Sequence, residues 1–460
     1  MTTLVRLFRV RLVPIVGAAA ILVAITYVAS ALTTPPPTPE GAPPGAMAGE
    51  LTPAAPPAGP IAGLLDRYDG AIRQWSESID ASDANYLAAT TLGMTYAGRA
   101  RLTGDLSDYQ RALEAADAAL DVSPDYLPAR ELRASVLFSL HEFAAARDEA
   151  QAVWEADPGA LQALAVVGDA SLELGDLDRA RSAFATLGER EASPPVWSRL
   201  AHLAFVEGDV VRAIELVESA VASSSRESTP EEAAFYAFQL GDLYRASGRT
   251  TEAGAAYEQA LAILPEHVPA TAGLARVREA QGRRAEAISL LEAAVARLPQ
   301  PELVAALGDL HALAGDGAAA EEQYALVDRI GEVSAATGSV YDRQLVLFDA
   351  DHDRHVAAAV DLAEAAVRVR HDIYGYDALA WALFHAGRLD EAAAAADEAL
   401  ALGTRDPRLA YHAGMIAAAR NDVDTARRLL TQAIAGAAYL PPLQVPIAEQ
   451  ALAALGEVDR

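Results

Sequence analysis

The sequence predicts an all-α protein, about ten helix-turn-helix hairpins stacked into a solenoid behind one N-terminal apolar helix. Three observations predict it. Apolar residues recur at helical spacing almost without a break after Pro60. A helical unit returns every 34 residues, as in the steps from Pro124 to Pro158 and from Pro265 to Pro299. Alanine is abundant and aromatics make up only 6% of the chain, which suits close-packed helices better than sheets. A single hairpin cannot bury its own apolar stripe, so the units must stack.

The first 60 residues differ in kind. Arg6, Arg9 and Arg11 precede an uncharged run that lasts until Glu40, apolar over residues 12–32. As a helix that stretch spans about 31 Å, enough for a bilayer core, and the arginines hold its start in the cytoplasm. Residues 1–32 are therefore expected to be a signal-anchor transmembrane helix or, if cut at Ala29-Ser30-Ala31, a signal peptide. Either way the remaining chain is expected on the extracytoplasmic side, membrane-anchored or secreted. Residues 33–60 hold ten prolines and read as an extended spacer. The stretch 61–460 is expected to be the solenoid.

Residues 61–79 form an entry helix with Leu64, Leu65, Ile72 and Trp75 turned inward. The clearest unit is 234–265, AFYAFQLGDLYRASGRTTEAGAAYEQALAILP. Leu240, Gly241 and Tyr244 share a face of its first helix; Ala253, Tyr257 and Ala260 share a face of its second. Gly241 is small because the helices approach closely there. Gly248 ends the first helix in a left-handed conformation that costs other residues more, and Pro265 cannot continue a helix. The first unit is expected to carry a longer hairpin around residues 102–109, and residues 329–338 a looser connection. Residues 441–455 should cap the array.

The markers LGDLYRASGRTTEAGAAYEQALAILP (240–265), GDASLELGDLDRARSAF (168–184) and DALAWALFHAGRLDEAAAAADEAL (377–400) resemble the tetratricopeptide repeat family. The resemblance covers most of 80–437, and the layout is similar to exported or membrane-attached bacterial repeat proteins. The unit near 340–371 departs from the pattern, with Leu347 at the close-contact position. The resemblance implies a right-handed superhelix whose inner groove is lined by the first helix of each hairpin. Groove-facing positions by this phase are Phe235, Phe238, Asp242 and Arg245, then Tyr341, Gln344 and Phe348, then Tyr374, Asp377, Trp381 and Phe384, then Tyr411 and Met415. Aromatics along such a surface anchor peptides; packing between hairpins is the other use for them.

Charge excludes some partners. With 64 Asp+Glu against 36 Lys+Arg, all arginine, the net charge is −28, which argues against nucleic acid. There is no cysteine, so disulfides and thiolate chemistry are excluded. A lysine- and asparagine-based carboxylate clamp fails: Asn85 and Asn421 are the only asparagines, at opposite ends of the array. Arg245 and Arg276 remain for an acidic partner. In 349–355, DADHDRH, the acids alternate as calcium ligands do. However, Arg354 stands where glycine is required and Val360 where a bidentate glutamate is required. No nucleophile elbow, phosphate loop or metalloprotease motif occurs, so no cofactor and no enzymatic activity are expected. The sequence points to a tethered scaffold for an unknown protein or peptide. The alternatives are a cell-envelope enzyme or subunit acting on glycan, and a structural spacer.

Overall fold

The computed structural model describes residues 60–80, 85–337 and 342–457. The expected N-terminal apolar helix and the proline-rich spacer lie outside them, as does Tyr341. Among the described residues there are 22 α-helices and no strand. No helix among them is long and apolar enough to cross a membrane.

An entry helix α1 (Pro60–Asp80) leads into ten hairpins. They are α2 (Tyr86–Thr103) with α3 (Leu106–Val122), α4 (Leu127–Ser139) with α5 (Phe143–Ala156), α6 (Leu161–Glu173) with α7 (Leu177–Arg190), and α8 (Pro194–Val206) with α9 (Val210–Glu227). Next come α10 (Pro230–Ala246) with α11 (Thr250–Ile263), α12 (Val268–Ala280) with α13 (Arg284–Arg297), and α14 (Pro301–Leu313) with α15 (Gly317–Thr337). The last three are α16 (Asp342–Asp351) with α17 (Val356–Val369), α18 (Ile373–His385) with α19 (Leu389–Leu400), and α20 (Pro407–Ala419) with α21 (Val423–Ala435). A 3₁₀ turn at Ala437–Tyr439 and the cap helix α22 (Gln444–Glu457) close the array. Two local expectations are corrected. The first unit has a turn of only Gly104 and Asp105; its extra residues lengthen α2 and α3 instead. The stretch from 329 continues α15 as far as Thr337 rather than forming a looser connection.

Local chemistry sets the helix ends. Pro194, Pro230, Pro301 and Pro407 occupy first helical positions, where the missing N–H is no loss. Thr229 and Glu232 form a reciprocal capping box: the Thr229 N–H donates to Glu232 Oε2 at 2.8 Å, and the Glu232 N–H donates to Thr229 Oγ1 at 3.3 Å. The turn inside a hairpin needs one left-handed residue. Glycine supplies it at 104, 175, 208, 248, 282, 315 and 387, whereas His141 (φ 64°) and Asn421 (φ 61°) supply it without glycine.

The hairpins α10/α11 and α14/α15 close on a shared device. A β-carbon on Gly241 or Gly273 would meet the Tyr257 ring at 2.5 Å, and one on Gly308 would meet the Tyr324 ring at 2.5 Å. The small residue thus makes room for an aromatic side chain more than for a neighbouring backbone. The residue after that glycine is aspartate, and the same ring bonds it: Tyr257 Oη donates to Asp242 Oδ1 at 2.5 Å, and Tyr324 Oη donates to Asp309 Oδ1 at 2.9 Å. Burial of Tyr257 with both polar partners met gives the unit a unique closed form.

The array also curls until separate coils touch. Gly104 lies against Leu298, Gly175 against the backbone of His371, Gly208 against Gly403 and Gly248 against Ala435, pairs 187 to 196 residues apart. The His371 N–H donates to Leu174 O at 3.3 Å across this seam. Val206 and Leu409 are buried together with Ile373 and Ala399 in one apolar cluster on it.

Candidate functional site: the inner face and its seam

Successive first helices of the hairpins touch one another along the array, as α2 does α4, α10 does α12 and α18 does α20, and the second helices flank them. The expected groove residues divide by burial. Phe235, Phe238, Phe348, Trp381 and Tyr411 are 5%, 7%, 4%, 3% and 1% exposed. The expectation that they stand open as anchors is corrected, because each packs between consecutive hairpins. Phe238 sits 6.1 Å from the Tyr257 ring and Phe348 sits 5.8 Å from the Tyr324 ring. Trp381 stacks between His412 (4.3 Å, 15°) and Phe384 (5.0 Å, 8°), with Tyr411 at 5.4 Å. Its Nε1 donates to Asp351 Oδ1 at 2.7 Å, an acceptor it shares with Gln444 Nε2 at 2.6 Å. Asp377 is buried and pairs with His412 Nδ1 at 2.9 Å. Burial pushes the Asp351 carboxyl up, against the pull of these partners. Gln344, Tyr374, Phe384 and Met415 are half-buried, and the Asp242 side chain is 30% exposed.

Arg245 does not face open solvent either. Its Nε donates to Tyr257 Oη at 3.0 Å, its Nη2 to Asp242 Oδ1 at 2.8 Å, and its Nη1 to Ala438 O at 3.1 Å across the seam. The guanidinium lies 4.4 Å over the Tyr439 ring. It ties the fifth hairpin to the turn before the cap helix.

What the sequence reading missed is the ionic strip that this curling assembles. Arg343 opens α16, Arg370 precedes α18 and Arg408 opens α20. They lie near enough for the other two guanidinium charges, added to burial, to lower the Arg343 pKa. Opposite them, from the earlier coil, come His141, Glu173 and His202. Burial, Asp372 and Asp169 push the Glu173 carboxyl up to about 7 against the pull of Arg370 and Arg343. Burial, with Arg370 and Arg343 beside it, holds His141 down at about 3. Burial and Arg343 hold His202 at about 4. Arg343 stacks 5.0 Å over the Tyr374 ring, and its Nη1 stands 3.8 Å from Asp372 Oδ1. Only Tyr374 of this strip was in the predicted set. The rest come from helix starts, a turn (His141), a helix end (Glu173) and mid-helix His202, whose facing is set by contact between coils, and no short-range pattern carries that signal.

The 349–355 cluster is the turn between α16 and α17, with Asp353 at φ 51° and His355 at φ 41°. Ligand atoms of Asp328, Asp349 and His355 lie within 4.8 Å of one another. Asp328 is already engaged by Arg354 Nη2 at 2.6 Å, and His355 Nδ1 lies 3.2 Å from Asp349 Oδ1. A cleft of about 310 Å³ opens elsewhere, between α1, α2 and α3, floored by Tyr86, Leu92 and Tyr96.

Comparison with known proteins agrees with this architecture. Three family models, each described as tetratricopeptide repeat, match residues 244–310, residues 194–266, and residues 97–161, 133–195 and 377–441. Among solved structures, a tetratricopeptide repeat protein from Parabacteroides merdae is 18% identical, covering 52% of this chain and 90% of its own, with a TM-score of 0.41. PilW, a type IV pilus biogenesis factor, is 18% identical over 48% of this chain and 97% of its own, with a TM-score of 0.38. Cut9 with Hcn1, of the APC/C, is 15% identical over 86% of this chain and 94% of its own, at 0.31. No match to a protein of curated function is found. Ten hairpins of the same helical plan, matched by three models of one repeat, make the chain a member of the tetratricopeptide repeat family.

Proposed function

We propose that this protein is a non-enzymatic interaction scaffold that binds a protein or peptide segment along its inner face. Tetratricopeptide repeats generally mediate protein–protein interaction. The observation that carries the reading here is the make-up of the inner face. Half-buried Tyr374 and Phe384 on α18 and Met415 on α20 follow Arg343 and Gln344 on α16, with Asp242 further back on α10, a mixture suited to an extended chain. Asp242 is held by Arg245, Asp377 by His412 and Asp351 by Trp381 and Gln444, while Asp372 and Asp406 cap helices; acids engaged in this way favour a scaffold over a glycan-cleaving site. The reading includes a tether: the apolar stretch at 12–32 holds the array on the extracytoplasmic face of a membrane, spaced by the proline-rich segment.

The test is affinity capture with the full-length chain, against a Gln344→Ala/Phe384→Ala/Met415→Ala variant shown to fold by circular dichroism. A specific partner should be recovered by the wild type and lost by the variant. Retention of every partner rules out the inner face as the binding surface. Fractionation with N-terminal sequencing tests the tether, and a mature chain starting at Leu32 excludes it.

A further inference from the structure

We propose that His352 is a proton-responsive tie at the joint between the seventh and eighth hairpins. As an imidazolium it locks the end of α16 to α14, and on losing a proton it frees the last three hairpins to swing and open the coil. This deepens the inner-face reading above by giving that face a control. It rests on that reading only for what the opened face binds.

The joint differs from the others along the array. At every other step, among the described residues, the second helix of one hairpin brings its backbone close to the first helix of the next, as α3 does to α4 and α13 to α14. The backbones of α15 and α16 stand further apart, and the close approach there is that of α14 to α16. α15 and α16 meet through side chains, with Tyr324, Val327 and Ile330 in one small apolar cluster with Leu345 and Phe348. The seam residues His371, Gly403 and Ala435 all lie beyond this joint, so the spacing of the coils depends on it.

Both ring nitrogens of His352 face acceptors. Nδ1 lies 2.8 Å from Phe348 O, and Nε2 lies 2.9 Å from Asp309 Oδ1, which also accepts from Tyr324 Oη at 2.9 Å. A neutral imidazole donates from one nitrogen and turns a lone pair on the other oxygen; only the imidazolium donates to both. His385 and His412 also bridge hairpins, but each meets a carboxylate at Nδ1 and has no partner at Nε2 among the described residues. A neutral ring satisfies them. The aspartate after the close-contact glycine takes other cations elsewhere: Asp169 takes Arg199 Nε at 2.9 Å from the next first helix, and Asp242 takes Arg245. A guanidinium does not titrate; of these three counter-cations, only His352 does.

The charged and titrating groups around His352 are Asp309 of α14, the Tyr324 hydroxyl of α15 and Asp351 beside it on α16. Glu321 and Asp328 of α15 are engaged by Arg354. Asp351 is drawn on by His412 of α20 and bonded by Trp381 of α18 and Gln444 of α22. Burial pulls His352 down, but Asp309 and the Phe348 carbonyl outweigh it and raise it above its ordinary 6.5. The tie is therefore whole below pH 6.5 and is lost as pH rises through the raised value.

The test uses the full-length protein, which has no cysteine of its own. Val211→Cys on α9 and Val369→Cys at the end of α17 are exposed positions, one on each coil, and carry a donor–acceptor pair for fluorescence energy transfer. Transfer is expected to fall as pH rises from about 5.5 to about 8.5, with a midpoint above about 6.5. His352→Gln should show the weak transfer of high pH throughout and no step. Glu173→Gln, which removes the titrating acid of the seam, should leave the step in place. In the wild type, the ring nitrogen shifts of His352 should be those of the imidazolium at about pH 6. A flat wild-type profile, a step that survives His352→Gln, a step that Glu173→Gln abolishes, or neutral-tautomer shifts at that pH overturns the proposal. Unchanged transfer with a partner still captured sinks this inference alone. A pH step with no captured partner sinks the scaffold reading alone.

Discussion

The seam between coils makes a matched comparison between glycines that are identical by sequence logic. Gly175 (φ 78°) and Gly282 (φ 74°) both end the first helix of a hairpin. A β-carbon on Gly175 would collide with the carbonyl of His371, whereas one on Gly282 meets nothing within 4 Å. Gly282→Ala therefore carries only the cost of a left-handed alanine, about 1–2 kcal/mol. Gly175→Ala adds a backbone collision of the overpacking kind, about 1–3 kcal/mol more. Repeat arrays need not unfold in one step, so the assay should be local. The His371 N–H bonds to Leu174 O across the seam. Amide hydrogen exchange over residues 369–374 should accelerate roughly 5- to 150-fold in Gly175→Ala and hardly change in Gly282→Ala. Gly208→Ala and Gly248→Ala should behave like Gly175→Ala, and Gly315→Ala and Gly387→Ala like Gly282→Ala. Equal exchange in the two sets would falsify the claim that the coils touch at these turns.

Other predictions rest on separate features. Arg245→Ala removes the bonds to Tyr257, Asp242 and Ala438 together and should cost roughly 3–5 kcal/mol in urea denaturation. By contrast, Arg283→Ala, an exposed pair with Glu286, should stay within about 1 kcal/mol. Glu173 has a folded pKa raised to about 7, so its contribution to stability is present at acid pH and is lost as pH rises through 7. Melting curves of Glu173→Gln should therefore diverge upward from the wild type between pH 5 and 8, and parallel curves would exclude a protonated Glu173. His202 is shifted the other way, to about 4, so its contribution is present above pH 6.5 and is lost as pH falls towards 4. A His202→Phe protein should show a shallower acid loss. Asn421 holds a left-handed turn, and Asn421→Gly should be neutral to slightly stabilising, by up to about 1 kcal/mol, unless its side chain has a role beyond the turn.

The sequence alone determined what depends on neighbours in the chain. Helical periodicity, the Gly-Asp marker at 241–242 and 308–309 with its tyrosine fifteen or sixteen residues on, and the glycine that ends seven of the first helices are all short-range requirements. They repeat because every hairpin solves the same packing problem, and ten copies give a phase that one copy would not. That phase read Asp242, Arg245 and Tyr374 as groove-facing, and Arg245 is instead buried against Tyr257 and the Ala438 carbonyl. It misjudged Trp381, Tyr411 and Phe348, because a large ring beside a small residue of the next hairpin is removed from water by packing, whichever way its helix faces.

Only the tertiary structure decided which turns meet. Gly175 and Gly282 read the same in the chain, yet one touches the backbone of His371 and the other touches nothing. The difference comes from the curl of the whole array, a small rotation per hairpin summed over several units, and no local pattern encodes such a sum. The same sum brings Glu173 and His202 opposite Arg343, whose guanidinium lies over the Tyr374 ring. The hairpins follow from local sequence; the ionic interior follows from how far they turn.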